Sequence, residues 1–137
     1  MSKISDIMTQ NPLFLSQHAN IHKARMLMAE SSIRHIPVKD IESQQLIGML
    51  DQKAVLSNAI KVINSRGLDN LEHEERSMPI SKIMNDSPVT VEVSAEIIDV
   101  ANSLLQKKAG CVAITDNGEL IGIITSSDFV KLFASNQ

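Results

Sequence analysis

The chain has 137 residues, 43% of them hydrophobic but only 2% aromatic, so its core has to be built from aliphatic side chains. Its formal net charge is −3 and its Lys and Arg residues form no cluster, which argues against nucleic acid, where phosphate neutralisation dominates affinity, and against an anionic membrane surface. There is no charged-then-apolar leader and no apolar run of spanning length, and the one cysteine, Cys111, permits no internal disulfide; the expectation is a soluble cytoplasmic protein in a reducing compartment.

In chain order, Ser5 to Met8 reads as a short helical turn ahead of Asn11-Pro12, because the residue before proline is pushed out of the helical region. Leu13 to Leu15 then reads as a short strand. From Ile21, residues Ala24, Leu27 and Met28 keep helical spacing, with Asn20 as the cap and an end near Ser31-Ser32. Ile33 to Val38 returns to the sheet, where Pro37 predicts an edge position or a bulge. Lys39 to Gln45 forms a long polar turn before the strand Leu46 to Leu50. Asp51 caps a helix from Ala54 to about Ser65, with Val55, Leu56, Ala59, Val62 and Ile63 along its inner side, and Gly67 stops it. Leu68 to Pro79 is polar and acidic, with Glu72, Glu74 and Glu75 beside His73, and reads as a solvated linker.

Beyond it, Ile97, Val100, Ala101, Leu104 and Leu105 have the spacing of a helix with one buried face, and Lys107-Lys108 suits its C-terminal end. Val112 to Thr115 and Leu120 to Ile124 flank Asp116-Asn117-Gly118, the turn pair that tolerates positive φ, and predict an antiparallel hairpin. The second strand breaks into Thr125-Ser126-Ser127-Asp128 and then into an amphipathic helix from about Ser127 to Ala134. A hydroxyl, a carboxylate and free helix amides therefore gather at one sheet edge. One reading is structural: Thr125 caps the helix and Asp128 answers the helix dipole. The other is that the amides receive a phosphate while Asp128 accepts hydrogen bonds from vicinal ribose hydroxyls.

The unit occurs twice. Ile4-Ser5-Asp6-Ile7-Met8 is echoed by Ile80-Ser81-Lys82-Ile83-Met84, an offset of 76 (80 minus 4) that also aligns Pro12 with Pro88 and Asp40 with Asp116. Leu46-Ile47-Gly48 matches Leu120-Ile121-Gly122 at an offset of 74 (120 minus 46), so the first hairpin turn is two residues longer. A duplicated supersecondary unit of this kind buries its apolar faces against its copy.

The ordered set of motifs, namely the Ile-Ser-x-Ile-Met opening, the proline-then-strand step at Pro12 and Pro88, Ile36-Pro37-Val38, the Leu-Ile-Gly hairpins and Thr125-x-x-Asp128, resembles the tandem CBS domain pair, or Bateman module. The resemblance implies a mixed α/β fold of two CBS repeats, each β-α-β-β-α, packed about a pseudo-twofold axis that leaves two clefts for adenine nucleotides or related adenosyl compounds. It divides the chain into repeat 1 (1–66), a linker (67–79) and repeat 2 (80–137).

By the same resemblance, one cleft combines Thr125 and Asp128, with the neighbouring Ser126 and Ser127, at the ribose and Arg34 and His35 near the phosphates, with Lys82 as a second cation. The base rests against Pro88, Val89 and Ile123. The aligned positions of the other cleft, Asp51, Ala54, Gly110 and Cys111, lack a cation and place a carboxylate where the family carries a hydroxyl, so that cleft is expected to be empty or to take something uncharged. Simpler readings stand beside these: Arg34 in a surface ion pair, His35 bonded to backbone, Cys111 a buried inert thiol, and His18 with His22 too few for a metal site.

The leading expectation is a regulatory binding module, not an enzyme, that senses AMP, ADP or ATP, with S-adenosylmethionine and NAD as further candidates. It requires no cofactor, forms a homodimer, signals to an unidentified partner protein and meets neither nucleic acid nor membrane. The alternative is a ligand-independent dimerisation scaffold. Catalysis through Cys111 and His35 is the weakest reading, since a nucleophile needs an oriented base that the sequence does not show.

Overall fold

The computed structural model describes residues 3–106 and 109–135. The chain divides into two compact units that do not coincide with the repeats: Leu13–Ser87 form one, and Met1–Pro12 join Pro88–Gln137 in the other.

In the Leu13–Ser87 unit a three-stranded sheet has the order β2-β3-β4. β2 (Leu15–Ser16) runs parallel to β3 (His35–Lys39), which pairs antiparallel with β4 (Leu46–Asp51). Helix α2 (Ile21–Ser31) crosses between the parallel strands. The Asn20 side chain accepts the Lys23 amide at 2.8 Å, and Ser32 closes the helix in the left-handed region at φ 54°. Asp51 caps α3 (Gln52–Arg66) by accepting the Ala54 amide at 2.8 Å. The core is aliphatic, with Ile21, Ala24, Ile36, Val38, Leu50, Val55 and Ile80 buried together.

The other unit begins with α1 (Ile4–Ile7) and β1 (Thr9–Gln10) and continues with β5 (Thr90–Glu92), α5 (Ile97–Gln106), β6 (Cys111–Asp116), β7 (Glu119–Thr125) and α6 (Ser126–Ser135). Its sheet has the order β1-β7-β6-β5, with β5 parallel to β6. Asn117 and Gly118 turn the hairpin at φ 52° and 86°, as the sequence predicts. Ile4, Val100, Val112, Ile114 and Ile124 make the core. The strand-helix-strand-strand-helix order thus appears twice.

Four expectations are corrected. Leu13 and Phe14 are exposed and lie outside β2. In the other unit Ala113 donates its amide to the Val89 carbonyl at 2.9 Å, and the equivalent residue here, Pro37, has no amide to donate, so the strand begins later. Pro37 itself is on the central strand, so the edge alternative fails, while the register shift between Val38 and Lys39, one residue on, matches the bulge alternative. It is tolerated because its partner Met49 spends both its amide and its carbonyl on Asn85, each at 2.9 Å, which leaves Pro37 at a site without a β3–β4 bond. The helical faces are narrower than expected, since Leu56, Ile63 and Leu105 are exposed. Finally, the acidic stretch is not a solvated linker: it holds a 3-10 turn (Leu68–Asn70) and α4 (Leu71–Arg76), and Glu75 is 1% exposed. Lys107 and Lys108 lie outside the described residues.

The opening motif of each repeat finishes the sheet of the opposite unit. Thr9 pairs with Ile123 in one and Asn85 with Met49 in the other. The preceding methionine lies on the hairpin glycine. A Cβ on Gly48 would stand 2.6 Å from Met84 Sδ and 3.0 Å from the Asn85 carbonyl oxygen, and one on Gly122 would meet Met8 Sδ and stand 3.0 Å from the Thr9 carbonyl oxygen. Gly48→Ala should therefore destabilise the protein by about 1–3 kcal/mol through overpacking against backbone. In a calorimetric melt this is a drop of several degrees. An unchanged Tm would contradict the packing described.

Candidate ligand-binding site

β7 passes into α6 without a loop, so Thr125 is both the last strand residue and the residue before the helix. Opposite it in register is Cys111, which opens β6. Because β5 is parallel to β6, the residues that precede it, Pro88 and Val89, come to the same end of the sheet, and the Ala113 amide reaches the Val89 carbonyl. Ile123 pairs with Ala113 on one side and Thr9 on the other. One sheet end of this unit thus collects Pro88, Val89, Ile123, Thr125, Ser126, Ser127 and Asp128.

The hydrogen bonds at this end serve the helix start. The Thr125 amide donates to Asp128 Oδ2 at 2.8 Å, Thr125 Oγ1 lies 2.8 Å from Ser127 Oγ, and Thr125 Oγ1 is 3.5 Å from Asp128 Oδ2. This is half of a capping box, with the acid in the first turn holding the cap amide. Asp128 Oδ1 makes no hydrogen bond among the described residues. Ser126 and Ser127 are exposed, and Thr125 and Asp128 are half-buried. The capping role leaves one Asp128 oxygen and the exposed Ser126 hydroxyl uncommitted among the described residues, while the Thr125 and Ser127 hydroxyls bond each other. Cys111 is buried, and that burial, with a smaller contribution from the Asp128 charge, pushes its thiol up to about 12. Such a thiol is held in its protonated form at neutral pH, the unreactive form.

The corresponding end of the Leu13–Ser87 unit carries Arg34, His35 and Asp51. His35 pairs in register with Asp51, the Gln52 amide donates to the Arg34 carbonyl at 2.9 Å, and Asp51 Oδ1 accepts the Ala54 amide. Arg34 is exposed, as is Lys82 in the 3-10 turn Ile80–Lys82. The structure therefore gathers the expected ribose and base residues within one unit, while Arg34, His35 and Lys82 belong to the other. Sequence reasoning missed that Asp128 bonds the Thr125 backbone; its position three residues after the cap was the signal available. Among the described residues no group of three or more His, Cys, Asp or Glu could hold a metal ion.

Burial lowers the pKa of His35; the Asp51 charge opposes this and Arg34 adds to it. A depressed base means that the unfolded chain binds a proton at pH values where the folded chain does not. Stability should therefore fall as the solution is acidified through the ordinary histidine range. His35→Gln should flatten that part of the Tm profile measured by calorimetry between about pH 5 and 8. Parallel profiles for the two proteins would contradict it.

The CBS domain model matches residues 4–61 and 80–135. Uncharacterized protein MJ1404 of Methanocaldococcus jannaschii is 28% identical over 136 residues, and the match covers 97% of this chain but only 32% of that protein. YlbB of Bacillus subtilis is 25% identical, with 93% of this chain and 80% of YlbB covered. The chain thus spans about a third of one of these relatives and most of the other. Among solved structures, AcuB of Vibrio cholerae superposes with a TM-score of 0.80 at 27% identity, covering 98% of this chain and 92% of that one. CBSX2 in complex with AMP gives 0.79 at 24% identity, covering 98% of both chains. The CBS domain pair of MJ0100 in complex with 5′-methylthioadenosine and S-adenosyl-L-methionine gives 0.80 at 20% identity, covering 100% and 99%. With both of its repeats matched, the chain belongs to the CBS domain family.

Proposed function

We propose that this chain is a regulatory module that binds an adenine nucleotide or a related adenosyl compound and passes its occupancy to a partner protein. The observation that carries the reading is the end of β7, where Asp128, Thr125 and two exposed serines stand beside Pro88, Val89 and Ile123 with one carboxylate oxygen uncommitted. A carboxylate can accept from both hydroxyls of a ribose, which a neutral cap residue does less well. The CBS pairs seen with AMP and with methylthioadenosine and S-adenosylmethionine support an adenosyl ligand.

In this reading Asp128 and Thr125 hold the ribose, Ser126 and Ser127 line its edge, and Pro88, Val89 and Ile123 receive the base. Arg34, His35 and Lys82 are assigned to the phosphates on the family resemblance. AMP, ADP and ATP are the leading ligands, and S-adenosylmethionine and NAD follow. The chain works in the cytoplasm, as a homodimer, without chemistry of its own. The second reading is a ligand-independent dimerisation scaffold, favoured by the exposed apolar residues Leu56 and Ile60 on α3 and Val130 and Phe133 on α6.

Titration calorimetry with AMP, 2′-deoxy-AMP and 5′-methylthioadenosine separates the roles. Asp128→Ala should weaken AMP by roughly 10- to 100-fold, the size of a hydrogen bond to a charged group, and 2′-deoxy-AMP should bind weakly even to the wild type. Arg34→Ala should weaken AMP and leave methylthioadenosine unchanged. Equal affinity of Asp128→Ala and wild type for every compound would reject the assigned site.

A further inference from the structure

Helix α4 lies in 62–79, the segment that neither CBS match covers, and it is held by charge. Glu75 on α4 is 1% exposed, and Arg25 on α2 donates Nε to both of its oxygens, at 2.9 and 3.1 Å, and Nη2 to Oε2. One turn earlier on α2 is His22, whose side chain is 16% exposed. Its Nε2 lies 3.5 Å from Glu72 Oε1, and its Nδ1 lies 3.9 Å from Glu75 Oε1. Nδ1 is buried and has no hydrogen-bond partner among the described residues. Each of these carboxylates also meets an arginine: Glu75 pairs with Arg25 on α2, and Arg76 Nε on α4 is 3.7 Å from Glu72 Oε2. α3 packs on both helices, and its cations Lys53, Lys61 and Arg66 are exposed.

Both ring nitrogens therefore face carboxylates. A neutral imidazole has one N–H and must turn a lone pair towards one of the two acids; an imidazolium offers a donor to each. Just after α4 the chain is pinned to the start of α2, where the Ile21 amide donates to the Met78 carbonyl at 3.0 Å and the Ile80 amide to the Ala19 carbonyl at 2.8 Å. It then delivers Met84 to Gly48.

We propose that His22 is a proton-operated clasp on the segment between the repeats: a charged ring adds ion pairs to Glu72 and Glu75 beside the Arg25–Glu75 pair and tightens α4 on α2, and loss of the proton loosens it. The clasp is independent of the ligand reading above.

Two measurements test it. Calorimetric melts of wild type and His22→Gln between about pH 5 and 8 should show the margin in favour of wild type widening towards acid, because a charged ring can pair with Glu72 and Glu75 and a glutamine cannot. A merely structural histidine would give a constant margin, and a flat or shrinking margin overturns the proposal. The second measurement serves if His22→Gln fails to fold. In Glu72→Gln, which removes one of the two carboxylates that face the ring, the stability gained on acidification should be smaller than in wild type in the same melts. An equal gain overturns the clasp.

Discussion

The structure depends on two methionines resting on two glycines. Met84 lies where a side chain on Gly48 would have to go, and Met8 does the same at Gly122. Each contact brings a backbone segment close enough to bond a hairpin strand, Asn85 to Met49 in one unit and Thr9 to Ile123 in the other. Neither repeat thus completes a compact unit from its own residues. Residues 80–87 are built into the first repeat's sheet and core, and residues 4–10 into the second's, so the two repeats exchange their opening segments. Small residues at such approaches are a requirement of the backbone distance, and a flexible thioether fills the remaining space well.

Much of this was legible in the sequence because the duplication checks itself. Asn117-Gly118 set the second hairpin, Asn20 and Asp51 set two helix starts, and the paired Ile-Ser-x-Ile-Met motifs marked the repeats. Those motifs did not reveal that each would belong to the opposite unit, since nothing local in five residues states which strand they meet. The short β2 was hidden for a different reason: it follows from the missing amide of Pro37, a residue more than twenty positions away in sequence. Glu75 was misread because three acids in a polar stretch look solvated, and only Arg25, one turn after the buried Ile21 on α2, hinted that one of them would be paired inside.

At the candidate site the same residues carry both a structural and a chemical burden. Asp128 holds the Thr125 amide with one oxygen and keeps the other in reserve. This economy explains why a motif as loose as Thr-x-x-Asp supports either reading from sequence alone. In the first repeat the equivalent helix start is capped by Asp51, opposite His35, and Ala54 stands where the second repeat has Asp128, so the two ends of the duplicated fold present different side chains. For such a module to regulate, its ligand has to favour one arrangement of the protein over another; tight binding to all arrangements equally shifts nothing.

The most direct measurement is thermal unfolding with AMP, S-adenosylmethionine or 5′-methylthioadenosine, on wild type and Asp128→Ala side by side, followed by calorimetry because the chain has neither Trp nor Tyr. A ligand at a hundred times its dissociation constant adds about 2.7 kcal/mol, which at this chain length raises Tm by several degrees. The account predicts that rise with at least one adenosyl compound in the wild type and its loss in Asp128→Ala. A Tm indifferent to every compound, or a rise that survives in the variant, would contradict it.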